Sequence, residues 1–353
     1  MRHSPAPPLS ARQREILMAV VREHITTKAA VGSKQLKEKY GFSVSTATIR
    51  NEMAYLEEAS YLYQPHTSSG RVPLVEAYRL YVNEVREGPL TELGEACRIY
   101  ESECRRLKGR PRTLMRATSR SLVALTGYPS VVMSPSRIQE AFADISVSPV
   151  SSNNLLLSYT TDTGKQVQQL LRSPEPLTAE QIAKLSRALR KIYRGRCIGE
   201  LATVTATDLA AAVADCDLPE VLLQALRQAV ETEEDRDIYV DGTSYILGEP
   251  GFQNPLSLRE FIETLDQHAL LREALLSSAT ASDVTVTIGT ENRIKGIQHG
   301  SMVARSYAHS GLRAGSVAVL GPMCMDYLNA MSVVSFVAES LGETLAKSED
   351  AAW

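Results

Sequence analysis

Residues 45–73 read STATIRNEMAYLEEASYLYQPHTSSGRVP, a helix-forming run that passes into a polar turn bracketed by two prolines. Ile49, Met53 and Leu56 recur at helical spacing and form an inward stripe, which leaves Thr46, Ala47, Arg50 and Asn51 on or near the outer face. YLYQ (61–64) and RVPL (71–74) flank the turn as short partner strands. Upstream, Ser10 is placed to cap a helix through Arg22 or beyond, and Ser33 to cap KQLKEKY, which Gly41 ends. Three helices followed by a small hairpin is the winged helix-turn-helix order, and a helix over 75–86 completes a unit spanning 1–87.

The chain has 353 residues, 44% of them hydrophobic, enough for two or three domains. Its net charge of −3 hides an asymmetry: residues 1–75 hold ten Lys and Arg against six Glu, a local +4, leaving −7 for the rest. The cysteines Cys97, Cys104, Cys197, Cys216 and Cys324 are scattered and form no C-x-x-C pair, which fits neither a disulfide framework nor a zinc site. A reducing cytoplasm is the expected location. There is no apolar leader at the start and no run of about 18 apolar residues, so no membrane partner is expected.

Beyond Gly88-Pro89 a charged helical stretch connects to ATSRSLVALTGY, so 88–127 reads as connecting helices. SVVMS, AFADISVSPV, NLLLSY and KQVQQLL then alternate as strands, and TAEQIAKLSRALRKIY is helical. An Ala/Leu-rich helical island closed by ETEED reads as an insertion at 199–250, between parts of one α+β domain at 128–198 and 251–353. In that last part DVTVTIG and SVAVLG read as strands, and LREFIETL and VVSFVAESLGETL as helices. The fold class is α+β, with one sheet expected in the second half.

Enzyme signatures are absent: there is no phosphate-cradling G-x-x-x-x-G-K-[ST], no H-E-x-x-H and no G-x-S-x-G. No catalytic residue, metal or cofactor is expected. The chemistry that remains is a DNA-reading surface. Ser45, Thr46 and Thr48 can donate to phosphate at a helix start, beside Ala47, while Arg50 and Asn51 suit guanine and adenine edges. In the wing, His66 lies at the tip, Thr67, Ser68 and Ser69 offer hydroxyl and backbone donors, Gly70 allows close approach, and Arg71 meets phosphate or the minor groove. The same hydroxyls also serve as ordinary helix caps, and Gly with Ser is common turn composition.

At these residues the chain resembles the heat-inducible transcription repressor family, HrcA. LSARQREIL, ATIRNEMAYLEEASYLYQPHTSSGRVP, DIYVDGTSYIL, IGTENRIKG and GPMCMDYLNAMSVV carry the likeness in order over most of the chain. The resemblance implies a homodimer that binds an inverted-repeat operator in double-stranded DNA upstream of chaperone operons. It also implies a GroEL-type chaperonin as modulator. The implied architecture is a winged helix and a GAF-like domain carrying a mostly helical inserted dimerisation domain. Ser69, Leu74 and Ala77 depart mildly from the family pattern, and Cys324 stands where it has arginine. Two rivals share the N-terminal unit: a regulator whose GAF-like domain senses a small molecule, and an enzyme of the biotin-ligase kind, which the missing phosphate loop disfavours.

Overall fold

The computed structural model describes residues 9–66, 69–86, 94–108, 110–135, 141–162, 164, 166–198, 224, 238–248, 252, 254–278, 283–309 and 312–349. Two compact units divide the chain, Met1–Ser134 with Ile238–Asp350, and Pro135–Asp237 with Ala351–Trp353.

The first unit opens with α1 (Ala11–Thr27), α2 (Ser33–Tyr40) and α3 (Thr46–Glu58), then a ribbon of β1 (Leu62–Tyr63) and β2 (Val72–Pro73), then α4 (Val75–Arg86). Ser10 Oγ accepts from the Gln13 amide and the Gln13 side chain accepts the Ser10 N–H, a capping box that starts α1 as the sequence suggested. The cap of α2 is Gly32, not the expected Ser33: Ser33 is already helical and buried, one position too late to cap. Gly41, at φ 65°, takes the left-handed turn that ends α2.

A buried carboxylate ties these helices together. Glu23 on α1 is 2% exposed, and accepts from Gln35 Nε2 at 2.8 Å, Lys39 Nζ at 2.7 Å and the Tyr40 hydroxyl at 3.3 Å, all on α2. Burial alone raises its pKa, but the hydrogen bonds from Lys39 and Gln35 outweigh burial and hold it below the usual carboxylate range.

The rest of the first unit is α5 (Glu95–Arg106), α6 (Pro111–Thr126), β3 (Ser130–Met133), β7 (Ile238–Asp241), α8 (Pro255–Leu265), α9 (His268–Ser278), β8 (Thr285–Ile288), β9 (Gly300–His309), β10 (Leu312–Pro322) and α10 (Tyr327–Glu349). Its five strands run antiparallel in the order β7-β3-β10-β9-β8. Alternation splits each strand between two cores. Val132, Val303, Val317 and Val319 face a cluster shared with α5, α6 and α10, while Val131, Met302, Ala318 and Leu320 face α8 and α9. The first of these clusters also contains Ile16, Leu36, Met53 and Tyr78, so the N-terminal helices and the sheet share one continuous core.

A column of polar rings threads that junction. The Tyr78 hydroxyl lies 2.8 Å from His24 Nδ1, the Tyr78 and Tyr327 rings are 6.1 Å apart, and the Tyr327 hydroxyl meets Ser301 Oγ at 2.7 Å and donates to the Met323 carbonyl at 2.6 Å. Burial pushes both phenols far above their ordinary pKa. They remain neutral.

The second unit has its own sheet, β4 (Phe142–Pro149), β5 (Asn154–Thr161) and β6 (Gln166–Arg172), antiparallel in that order. Helix α7 (Ala179–Tyr193) covers one face through Ile182, Leu185, Leu189 and Tyr193, with Phe142 edge-on to Tyr159 and Tyr193. Ser186 on α7 donates to the Val147 carbonyl at 2.9 Å and accepts the Val147 N–H at 3.0 Å, fastening the helix to β4.

The single sheet expected across 128–198 and 251–353 is therefore two sheets. The contacts divide the chain at 134/135 and 237/238 rather than at 198/199 and 250/251. Alternation reports which face of a strand is buried, not which sheet it joins. Within the expected insertion, 199–223, 225–237 and 249–250 lie outside the described residues, and Ile238–Asp241 is an edge strand of the five-stranded sheet. Among the described residues no helix is long and apolar enough to cross a membrane.

His24 is 6% exposed, and burial, reinforced by the charge of Lys28, lowers its pKa to about 4. The unfolded chain therefore takes up a proton that the native imidazole refuses. Stability is full above the unfolded value and falls by about 3 kcal/mol as pH drops from about 6.5 to about 4. Denaturant titrations across that window test this, and His24→Gln removes this part of the slope; protonation of Glu23 adds its own loss as pH falls below about 4.5.

Candidate nucleic-acid interface

Helix α3 begins at Ser45, whose backbone is extended and whose Oγ accepts the Thr48 N–H at 3.1 Å. The Ser45 and Thr48 hydroxyls lie 2.9 Å apart and bond to each other. One of their two hydroxyl protons is thus committed, and one remains to donate outward. No acidic residue sits in the first turn, so the positive end of the helix dipole is uncompensated.

Burial of Ile49, Met53 and Leu56 fixes the rotation of α3. Ser45, Thr46, Ala47, Arg50 and Asn51 are then exposed, and Thr48 is half-buried. Neither Arg50 nor Asn51 is engaged by another side chain among the described residues, so these two candidate base-reading groups are uncommitted. Glu52, on the flank, instead accepts from Gln13 Nε2 at 3.1 Å and lies 3.8 Å from Arg12, seating α3 on α1. The sequence reading missed Tyr55. It is 37% exposed and lies one helical turn beyond Asn51 on the same face, a signal that the i, i+4 spacing already carried.

The turn behaves differently. β1 and β2 pair Leu62 with Pro73 and Tyr63 with Val72. Ser69 Oγ donates to the His66 carbonyl at 2.6 Å and accepts the His66 N–H at 3.0 Å, while Gln64 Nε2 donates to the Ser69 carbonyl at 2.9 Å. The Ser69 hydroxyl closes the turn and is not the outward donor the sequence suggested. His66 is exposed at the tip, and Thr67 and Ser68 lie outside the described residues.

Gly70 and Arg71 belong to the base of the ribbon. The backbone of Arg71 exchanges two hydrogen bonds with Val31, each 2.9 Å. A Cβ on Gly70 would come within 2.3 Å of the Val31 carbonyl oxygen, so the close approach that requires glycine is to Val31. Arg71 Nε lies 2.8 Å from Glu57 Oε2 on α3, and its side chain is only 14% exposed. Its guanidinium couples ribbon to helix, which the sequence reading assigned instead to phosphate or minor groove.

Comparison with known proteins follows the same line. The family model for the HrcA protein C terminal domain matches residues 112–331. A heat-inducible transcription repressor HrcA of Moorella thermoacetica is 33% identical over 342 residues, 96% of this chain and 98% of that protein. Its counterpart in Desulforudis audaxviator is 31% identical, again over 96% of this chain and 98% of its own length. In three dimensions the chain is similar to a crystal structure of a hypothetical protein, with a TM-score of 0.64 at 23% identity, covering 97% of this chain and all of that one.

The two HrcA relatives are transcription repressors and not enzymes. The chain belongs to the HrcA family of heat-inducible transcription repressors.

The packing at Gly70 gives a direct test. Gly70→Ala forces the ribbon away from Val31, and overpacking of this kind costs about 1–3 kcal/mol. The expected result is a lowered denaturation midpoint, measured by urea unfolding followed by circular dichroism.

Proposed function

We propose that two copies of this chain pair and repress transcription by occupying an inverted-repeat operator in double-stranded DNA. In this reading α1 to β2 form a winged helix-turn-helix, and α3 enters the major groove. Arg50 and Asn51 contact base edges, and Ala47 can meet a thymine methyl. Ser45, Thr46 and Thr48 grip phosphate at the helix start, joined by His66, Thr67 and Ser68 from the wing tip. The five-stranded sheet with helices on both faces is the GAF-like domain, and the second unit is the dimerisation domain. The operator lies ahead of chaperone operons in the cytoplasm, and a GroEL-type chaperonin modulates occupancy.

The observation that carries this reading is the pair Arg50 and Asn51, exposed and uncommitted on a helix whose rotation the core has fixed. A duplex read by a two-fold pair of such helices is itself two-fold, which accounts for the inverted repeat. Repression needs only occupancy, so no bond is made or broken.

The small-molecule sensor is the weaker alternative. A cleft between α9, β8 and the 291–297 loop, lined by Glu273, Thr285, Thr287, Asn292, Arg293 and Met302, holds about 250 Å³. This one cleft among the described residues is below the roughly 300–1,000 Å³ usual for such sites.

Footprinting of the full chain on its own upstream DNA, with and without chaperonin, tests the proposal. A protected inverted repeat is expected. Arg50→Ala should lower preference for the operator over unrelated DNA by about 5- to 100-fold, the worth of one base contact. Arg71→Ala should weaken binding at every salt concentration with the slope against log salt preserved, because Arg71 pairs with Glu57. A slope shallower by about one would instead mark a phosphate contact.

A further inference from the structure

Arg79 leaves α4 toward the edge of the five-stranded sheet. Its Nε donates to Glu291 Oε1 at 2.8 Å, and its Nη2 donates both to Glu291 Oε2 and to the Val286 carbonyl at 2.7 Å. Glu291 is itself held by the Ile288 N–H at 2.8 Å. The adjoining Asn292 is buried, receives the Thr287 hydroxyl at 2.6 Å and donates to the Gly289 carbonyl at 3.0 Å. The guanidinium therefore grips a loop that its own hydrogen bonds already hold.

Two further bonds pin the same arm: Lys28 Nζ donates to the Cys324 carbonyl, and Arg86 pairs with Asp283. At the start of α4, a Cβ on Gly289 would lie 2.7 Å from Val75 Cγ2, so helix and loop are already in contact. The ribbon is joined to α4 by the Leu74 N–H donating to the Tyr61 carbonyl at 2.9 Å.

The apolar core shared by helices and sheet supplies cohesion, but burial of apolar surface is non-directional. A planar guanidinium bonded through two nitrogens fixes an angle. We propose that Arg79 is a positioning residue for operator recognition. By locking α4 to the 286–292 segment it sets the orientation of α3 on the sheet, so that a pair of chains measures the spacing between half-sites as well as their bases. This inference rests on the operator reading above. One added base pair displaces a half-site by about 3.4 Å and rotates it by about 35°. A rigid arm cannot follow both changes, whereas a loosely tethered one can.

The test uses the full chain and the inverted repeat it selects from a random-sequence duplex pool, rebuilt with spacers changed by one to five base pairs. The parent should lose about 50-fold or more in affinity on a one-base-pair change, comparable to a strong base mismatch. Arg79→Glu, and the neutral Arg79→Gln in case reversal impairs folding, should bind the original spacing within about tenfold of the parent and lose less than about fivefold on the same spacer change. The exchange Arg79→Glu with Glu291→Arg should recover much of the steepness. A flat spacing profile in the parent overturns the inference and leaves operator binding intact. So does a variant that weakens equally at all spacings, which marks a merely structural role, or an exchange that recovers nothing. Selection of no inverted repeat would remove the operator reading and this inference together.

Discussion

The first unit depends on the buried contact between Tyr78 and its neighbours. One phenol on α4 reaches His24 of α1 with its hydroxyl and lies against the ring of Tyr327, whose own hydroxyl is spent on Ser301 and Met323. A polar atom buried without a partner costs about 1–3 kcal/mol, so each group here constrains the position of the next. The result is that the helices carrying the candidate reading surface and the sheet behind them fold around one core. The low pKa of His24 is a consequence of the same burial.

The reading surface follows from what the core leaves over. Packing of Ile49, Met53 and Leu56 consumes one face of α3, Glu52 ties a second to α1, and Glu57 ties a third to the ribbon through Arg71. What faces outward is Thr46, Ala47, Arg50, Asn51, Tyr55 and, at the far end of the helix, Glu58. Small and polar side chains on a helix without acidic residues in its first turn suit a polyanion, and the surrounding 1–75 segment carries a local excess of positive charge.

The cysteines show how location overrides side-chain chemistry. Cys324 is 3% exposed, and it is its carbonyl that serves the junction, as acceptor from Lys28. Burial likewise raises the pKa of the Cys97 and Cys104 thiols, which suppresses the reactive thiolate. Backbone groups need no particular side chain, so an acceptor of this kind survives the departure from the family pattern at 324.

The sequence by itself determined most of the local structure of residues 9–66 and 69–86, the cap of α2 at Gly32 excepted. The capping box at Ser10, the left-handed glycine at 41, the inward stripe of α3 and the paired ends of the ribbon all depend on neighbours within a few positions. The exposure of Arg50 and Asn51 followed from helical periodicity alone, and Tyr55 could have been found by the same rule. Tertiary structure alone decided the rest. Ser69, Gly70 and Arg71 carry the composition of a DNA-contacting turn, yet the Ser69 hydroxyl closes the turn and the other two are spent on Val31 and Glu57. β4 to β6 alternate like the strands of the larger sheet, yet form a separate sheet of their own. Apart from the Ser69 turn, closed by His66 three positions away, the deciding side-chain partners lie 14 to 212 positions off, from Arg71 and Glu57 to Arg79 and Glu291, beyond the reach of a helix or strand period; the last pair meets only because the core brings α4 to the edge of β8.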